Sequence, residues 1–123
     1  MRVFSELIFD DVIRGTGEVY SSPGFNELLG KADEVVYELY VSVSSGTSPT
    51  VTLRHLHSCS NQGTFTGLSS LINGASISSV PYQNVVQQTG PLGGYGKAGI
   101  TLGGTNPTAR IRIWATGRGT CRS

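Results

Sequence analysis

GTSPTVTLRHL, residues 46–56, and GTNPTARIRIW, residues 104–114, are two copies of one phrase, 58 positions apart. Gly, Thr, Pro, Thr, an apolar residue and Arg recur at the same offsets, and each copy follows an apolar run. Glycine accepts positive φ and proline fixes φ near −65°, so both residues favour turns. Each copy therefore predicts a strand, a turn and a second strand, and Tyr37 and Tyr95 recur at the same spacing.

Apolar and polar residues alternate on both sides of each turn, which is typical of a half-buried strand. The residues expected to face a core are Leu39, Val41, Val43, Val51, Leu53 and His55 in the first copy, and Ala109, Ile111, Ile113 and Ala115 in the second. The residues between them are expected to face solvent.

Each copy is expected to form an antiparallel hairpin, with residues 35–43 pairing with 50–57 and residues 97–102 pairing with 108–116. Two similar hairpins in one short chain favour two facing sheets. The predicted fold class is therefore all-β: a single antiparallel β-sandwich, jelly-roll-like, with two related hairpins and long loops.

The 123-residue chain is long enough for one modest core. We predict one domain over residues 1–123, with residues 1–9 as an extended arm or edge strand and residues 117–123 as a flexible tail. Asn73 and Gly74 are typical of a two-residue hairpin turn. No apolar run matches a membrane span or a signal peptide, so we expect a protein made in the cytoplasm with no membrane contact.

Charge is unevenly distributed along the chain. All 8 acidic residues lie in residues 1–38, whereas the charged residues of 39–123 are all basic. Either an acidic and a basic face meet between neighbouring subunits, or strands from both halves interleave and the charges mix within one chain. A net charge of +1 without clustered bases and aromatics argues against a nucleic-acid partner.

The candidate metal ligands are His55, His57 and Cys59, which share one face of a strand and are of the types that zinc prefers. Three residues in line on one strand rarely complete a tetrahedron. The repeat also aligns His55 and His57 with Ile113 and Ala115, on the apolar face. We therefore expect the histidines to pack, and we expect no metal and no cofactor.

Catalytic arrangements find little support in the spacing of reactive residues. Cys59 or Cys121 paired with a histidine lacks an orienting residue, and the adjacent Asp10 and Asp11 would point to opposite faces of a strand. The glycine-rich residues 90–99 lack the Lys-Ser or Lys-Thr of a P-loop. We expect no enzyme.

Exposed strand faces supply the candidate contacts with partners. These candidates are Arg54, Arg110, Arg112, Trp114, Asp10 and Asp11. Arg54 aligns with Arg112 between the two copies, which makes it the first candidate for a subunit contact. Sugar stacking by Tyr82, Tyr95 and Trp114 is an open alternative.

Three segments resemble small β-sandwich structural proteins of tailed bacteriophages. They are SGTSPT between two alternating strands, LGGTNPTARIRIWATGRG near the C-terminus and LIFDDVIRGTGEV near the N-terminus. The resemblance covers most of the chain, and residues 57–94 depart from it.

The resemblance implies a capsid decoration (cement) protein on the virion surface, made in the host cytoplasm, with no catalytic residue. It implies binding to the major capsid protein, which stabilises the shell, and self-association, often as trimers. The acidic N-terminal third and the arginines of the second copy are the expected contacts. The alternatives are a glycan- or surface-binding module of a phage tail or fibre, and a tail or neck accessory protein.

Overall fold

The computed structural model describes residues 2–26, 29, 34–59, 65–89 and 94–119. Its strands are β1 (Arg2–Arg14), β2 (Val19–Tyr20), β3 (Glu34–Ser58), β4 (Thr66–Ser76), β5 (Tyr82–Thr89) and β6 (Tyr95–Gly119). One turn of 3-10 helix, Pro23–Phe25, follows β2. Every pairing between these strands is antiparallel, as predicted.

β3 and β6 each run through one copy of the repeated phrase as a single bent strand. Residues 34–45 of β3 pair with residues 108–118 of β6, and residues 50–58 pair with residues 95–103. The two arms of each copy therefore pair with the other copy. The prediction of a hairpin within each copy is wrong, because the turn acts as a corner between two sheets.

Among the described residues, these corners divide the strands into two four-stranded sheets. Sheet I contains, in order, β1, residues 108–119 of β6, residues 34–45 of β3, and β5. Sheet II contains β2, residues 95–103 of β6, residues 50–58 of β3, and β4. The sheets face one another, since Tyr37 of sheet I and His55 of sheet II meet in the interior at 2.6 Å. The antiparallel β-sandwich is thus confirmed.

A pseudo-two-fold axis relates the two copies of the repeated phrase. Thr47 pairs with Thr105, its own equivalent in the second copy. The glycines before these threonines share positive φ values, 112° and 104°, and Ser48 and Asn106 after them have φ of 50° and 51°. The duplication reaches β1 and β4: Gly15 donates its N–H to the carbonyl of Pro107, and Ile77 donates to that of Pro49.

The core follows the predicted alternation. Buried side chains from both sheets form one cluster, which includes Leu39, Val41, Val51, Leu53, Ala109, Ile111, Ile113 and Ala115. Val43 is the exception at 59% exposed, because the register shifts between Val41 and Val43. A one-residue irregularity of this kind turns the following side chain to the other face.

The other local predictions concern the Asn73-Gly74 turn and the two ends of the chain. β4 continues through Asn73 and Gly74 to Ser76, so the hairpin predicted there is wrong, and the N–H of Gly74 donates to Thr52 Oγ1. β1 is an edge strand paired with β6. Residues 120–123 of the predicted tail lie outside the described residues. Among the described residues no helix has the length and apolarity needed to cross a membrane.

Candidate functional site

The outer face of sheet I carries the largest exposed aromatic side chain of the described residues, Trp114. Strand pairing places Trp114 between Leu7 on β1 and Glu38 on β3, and Glu38 in turn lies opposite Val85 on β5. The next row across the sheet is Asp10, Arg112, Tyr40 and Gln83. Residues directly opposite in antiparallel strands share a face, so these two rows form one surface. We call this surface the tryptophan face.

Apolar exposure is concentrated on the tryptophan face. Trp114 is 45% exposed and Val85 is 57% exposed. Val43, turned outward by the bulge, and Val12 on β1 are exposed on either side of Arg110, with which both pair. Large exposed apolar groups that share one face of a sheet are characteristic of binding surfaces.

Charged groups on the tryptophan face already have hydrogen-bonding or ionic partners within the face. Asp10 Oδ1 lies 3.1 Å from Arg110 Nη2 and 3.5 Å from Arg112 Nε. Gln83 Nε2 donates to Glu38 Oε1 at 3.0 Å, beside Trp114. These contacts hold both arginines and the glutamate in defined positions next to the tryptophan.

The outer face of sheet II holds a different cluster, built around Arg54. Arg54 Nε and Nη2 donate to the carboxylate of Glu18 at 2.7–2.9 Å, and the hydroxyl of Tyr20 donates to the same carboxylate. Burial alone would raise the pKa of Glu18, but the hydrogen bonds from Arg54 and Tyr20 outweigh it and lower the pKa. Arg54, the predicted subunit contact, thus engages an intramolecular partner.

Lys97 completes this second cluster. Its ammonium lies 3.9 Å from the centre of the Tyr20 ring and 4.5 Å from that of Phe65. These cation–π contacts connect Lys97 on β6 to Tyr20 on β2 and to Phe65, the residue before β4. The ion pairs of Glu18 with Arg54 and of Asp10 with Arg110 and Arg112 join acidic residues of the first chain half to basic residues of the second within one molecule.

The candidate metal ligands differ in their exposure to solvent. His55 is fully buried, whereas Cys59 is an exposed free thiol. His57 is half-buried, with an Nδ1 that lacks a hydrogen-bond partner among the described residues. Within those residues no group of three or more His, Cys, Asp or Glu is arranged to hold a metal ion.

His55 belongs to a buried polar pair that the sequence did not predict. When the proton of His55 is on Nε2, its Nδ1 accepts a hydrogen bond from the Tyr37 hydroxyl, with 2.6 Å between Nδ1 and the hydroxyl oxygen. Burial lowers the pKa of His55 to about 4, with a smaller contribution from His57, and raises the pKa of Tyr37 above its usual range. His55 Nε2 has no partner among the described residues and lies against Gly96. The imidazole is therefore neutral at pH 7.

The three aromatics proposed for sugar stacking do not form one platform. Trp114 lies on the tryptophan face, Tyr82 packs against the core, and Tyr95 begins the arm of β6 in sheet II. Tyr40 was not among the predicted site residues and lies on the tryptophan face next to Arg112. Its position two residues after Glu38, on the polar side of an alternating strand, was the signal that could have identified it.

Two candidates remain, Asp11 and Cys121. Asp11 is exposed on β1 and accepts a hydrogen bond from the N–H of Val12. Cys121 lies outside the described residues. Asp10, Arg110, Arg112 and Trp114 are thus brought together on the tryptophan face, and Arg54 lies on the other sheet.

Comparison with known proteins gives a fold without a family. No protein-family model and no curated protein matches the chain. Among solved structures, the chain is similar to the infectious bursal disease virus VP2 subviral particle, with TM-score 0.56 and 10% identity over 96% of this chain and 33% of that one. The infectious bursal disease virus Gt strain structure gives TM-score 0.55 and 14% identity, over 95% and 32%.

A second kind of similarity is to an enzyme-linked module. The CBM22-1–GH10 modules of xylanase 10B from Clostridium thermocellum, solved with xylohexaose, give TM-score 0.58 and 13% identity over 98% of this chain and 25% of that one. This chain spans about a quarter to a third of the length of these structures. At such identities the likeness establishes the fold alone, a β-sandwich that occurs in virus particles and in modules of a xylanase.

Proposed function

We propose that this chain is a non-enzymatic structural protein of a virus particle, a capsid decoration (cement) protein that binds and stabilises the shell of the major capsid protein. The observation that carries the proposal is the tryptophan face: exposed Trp114 and Val85 on a rigid sheet, next to arginines held by Asp10. The fold similarity to a viral subviral particle supports it.

The chemistry of the tryptophan face suits docking to another protein. Trp, Tyr and Arg are the residue types most enriched among those that dominate binding energy at protein interfaces. Because Arg110 and Arg112 share Asp10, part of their positive charge is already compensated within the face when docking covers it. A decoration protein needs only modest affinity per site, since many linked contacts across a shell give high avidity.

Trp114→Ala is expected to weaken binding to capsid shells by at least ~30-fold, as loss of a buried interface tryptophan typically does. Trp114 is 45% exposed in the free protein, so the free energy of unfolding should fall by only about 1 kcal/mol, the loss of its cross-strand packing. Co-sedimentation with shells that lack the protein measures binding, and thermal melting measures stability.

Tyr20→Ala is the matched control, because Tyr20 is an exposed aromatic on the outer face of sheet II. It should leave shell binding unchanged. If Trp114→Ala binds shells as tightly as the wild type, or if Tyr20→Ala loses binding equally, the tryptophan face is not the docking surface.

A glycan-binding module of a tail or fibre is the second candidate function. The observation that favours it is the placement of Trp114 and Tyr40 in adjacent rows, with Glu38, Gln83 and Arg112 as hydrogen-bonding groups beside them. Aromatic faces ringed by polar groups are suited to sugar rings. If the chain is a glycan-binding module, a glycan array that includes xylohexaose should give hits, and Trp114→Ala should abolish them. An array without hits removes this candidate and leaves a shell, tail or neck protein as the docking partner.

A further inference from the structure

β5 is an edge strand without the usual protection. It pairs only with β3 among the described strands, and all eight residue pairs from Tyr82 to Thr89 keep one unbroken register. Its sequence, YQNVVQQT, contains no charge, no proline and no glycine. Tyr82 and Val86 pack against the core, so the strand is firmly attached on one side.

The other three edges carry devices that oppose pairing with a further strand. β1 is interrupted by a register shift between Leu7 and Phe9 and carries Glu6, Asp10 and Asp11. β4 has three register shifts against β3, and β2 is two residues long. Charges, bulges and short strands are the ways in which native proteins block edge-to-edge association. Of the four edge strands in the described part of the chain, β5 alone lacks such a device.

We propose that β5 pairs antiparallel with β5 of a second copy of this chain, so that sheet I of two copies becomes one continuous eight-stranded sheet. A second copy fits because a strand without charges meets no like-charge repulsion when it pairs with itself, whereas β1 would set acids against acids. An isologous contact of this kind gives a dimer, in place of the trimer that the phage resemblance implies.

The pairing register follows from which side chains share a face. Val85 is exposed on the outer face, and a two-fold axis at Val85 sets it against Val85 of the second copy. Gln83 then lies opposite Gln87 of the second copy, also on the outer face. This register covers the one strongly exposed valine of the strand on both copies.

The consequence is a bivalent surface. A two-fold axis perpendicular to the joined sheet directs both tryptophan faces to the same side. Two linked docking sites bind a repetitive surface more tightly than either does alone. The self-contact goes beyond the proposed function, and its test needs no shell, so the failure of one is distinct from the failure of the other.

Sedimentation equilibrium of the whole chain is expected to show a monomer–dimer equilibrium at high micromolar concentration. Val85→Lys places a charge at the two-fold axis and should raise the dissociation constant at least about 10-fold. Val12→Lys is the matched control, an exposed valine on the opposite edge strand of the same sheet, and should leave the equilibrium unchanged.

Disulfide trapping tests the register. In a background with Cys59→Ser and Cys121→Ser, Val85→Cys should cross-link two copies under mild oxidation, and Gln87→Cys, about four residues from its own symmetry mate, should not. A monomer at all concentrations, a dimer unaffected by Val85→Lys, or equal cross-linking through Gln87→Cys would each overturn the proposal.

Discussion

Replacing Gly104 with alanine is expected to lower the free energy of unfolding by about 3 kcal/mol, and Gly46→Ala should cost a similar amount. Gly104 has φ of 104°, and a Cβ there would lie 2.7 Å from the carbonyl oxygens of Thr47 and Ser48. At Gly46, with φ of 112°, the Cβ would meet the carbonyl oxygens of Thr105 and Asn106 at 2.8–2.9 Å. Both substitutions force apart the two corners that meet at the pseudo-two-fold axis.

Gly74→Ala is the control that separates the effect of the steric clash from the effect of a positive φ. Gly74 also has positive φ, 65°, but nothing lies within 4 Å of a Cβ there. It should therefore cost only about 1 kcal/mol, the strain of a left-handed residue. Urea unfolding of the three variants gives the comparison. Equal losses at all three glycines would show that the paired corners contribute no steric constraint of their own.

Acidification from pH 6.5 to pH 4 is expected to remove roughly 3 kcal/mol of stability through His55 alone. An unfolded histidine titrates near 6.5, whereas burial lowers the pKa of His55 to about 4. Between these values the unfolded chain binds a proton that the folded chain does not, so stability falls as the pH falls. The contribution is fully present above pH 6.5 and is lost by about pH 4.

The double variant Tyr37→Phe with His55→Ile should flatten this pH dependence. Isoleucine is the residue at the equivalent position, Ile113, of the second copy. Replacing both hydrogen-bond partners with apolar groups leaves no buried polar atom unpaired, so stability at pH 7 should change little.

Tyr37→Phe alone should cost about 1–3 kcal/mol, since it leaves Nδ1 of His55 without its partner. His57→Gln is the control for the neighbouring histidine. Urea unfolding from pH 4 to pH 8 gives the profiles, and the difference between wild type and double variant cancels the carboxylates. An unchanged slope in the double variant would contradict the assignment to His55.

The strands could be predicted from the sequence because alternation is a local property. Leu39, Val41, Ile111 and Ile113 face the core as their period-2 pattern requires. Val43 does not, because the preceding bulge depends on pairing with β6, and a strand's own sequence does not reveal the irregularity of a partner.

The pairing could not be predicted from the repeated phrase. GT[SN]PT is suited equally to a hairpin turn and to a corner, and the choice depends on whether an arm pairs with its own neighbour or with a copy 58 residues away. The hairpin predicted at Asn73-Gly74 was wrong for a similar reason. Gly74 has a positive φ, but it lies within β4, which stays paired with β3 on both sides of it.

The residues of the candidate site could be predicted from the sequence, but their contacts with one another could not. Trp114, Arg110 and Arg112 were expected on a polar strand face, and they lie on one. Their contacts with Asp10 and their proximity to Val85 depend on strand order across sheet I, which no local pattern encodes. Tyr37 and His55 meet because two sheets fold face to face.

We propose that the chain docks on a viral shell through the tryptophan face. Cryo-electron microscopy of the native particle whose genome encodes this chain tests it most directly. We expect copies at symmetric positions on the shell, with Trp114 buried against the major capsid protein. Particles without the chain, or copies whose Trp114 faces solvent while sheet II makes the contact, would contradict it.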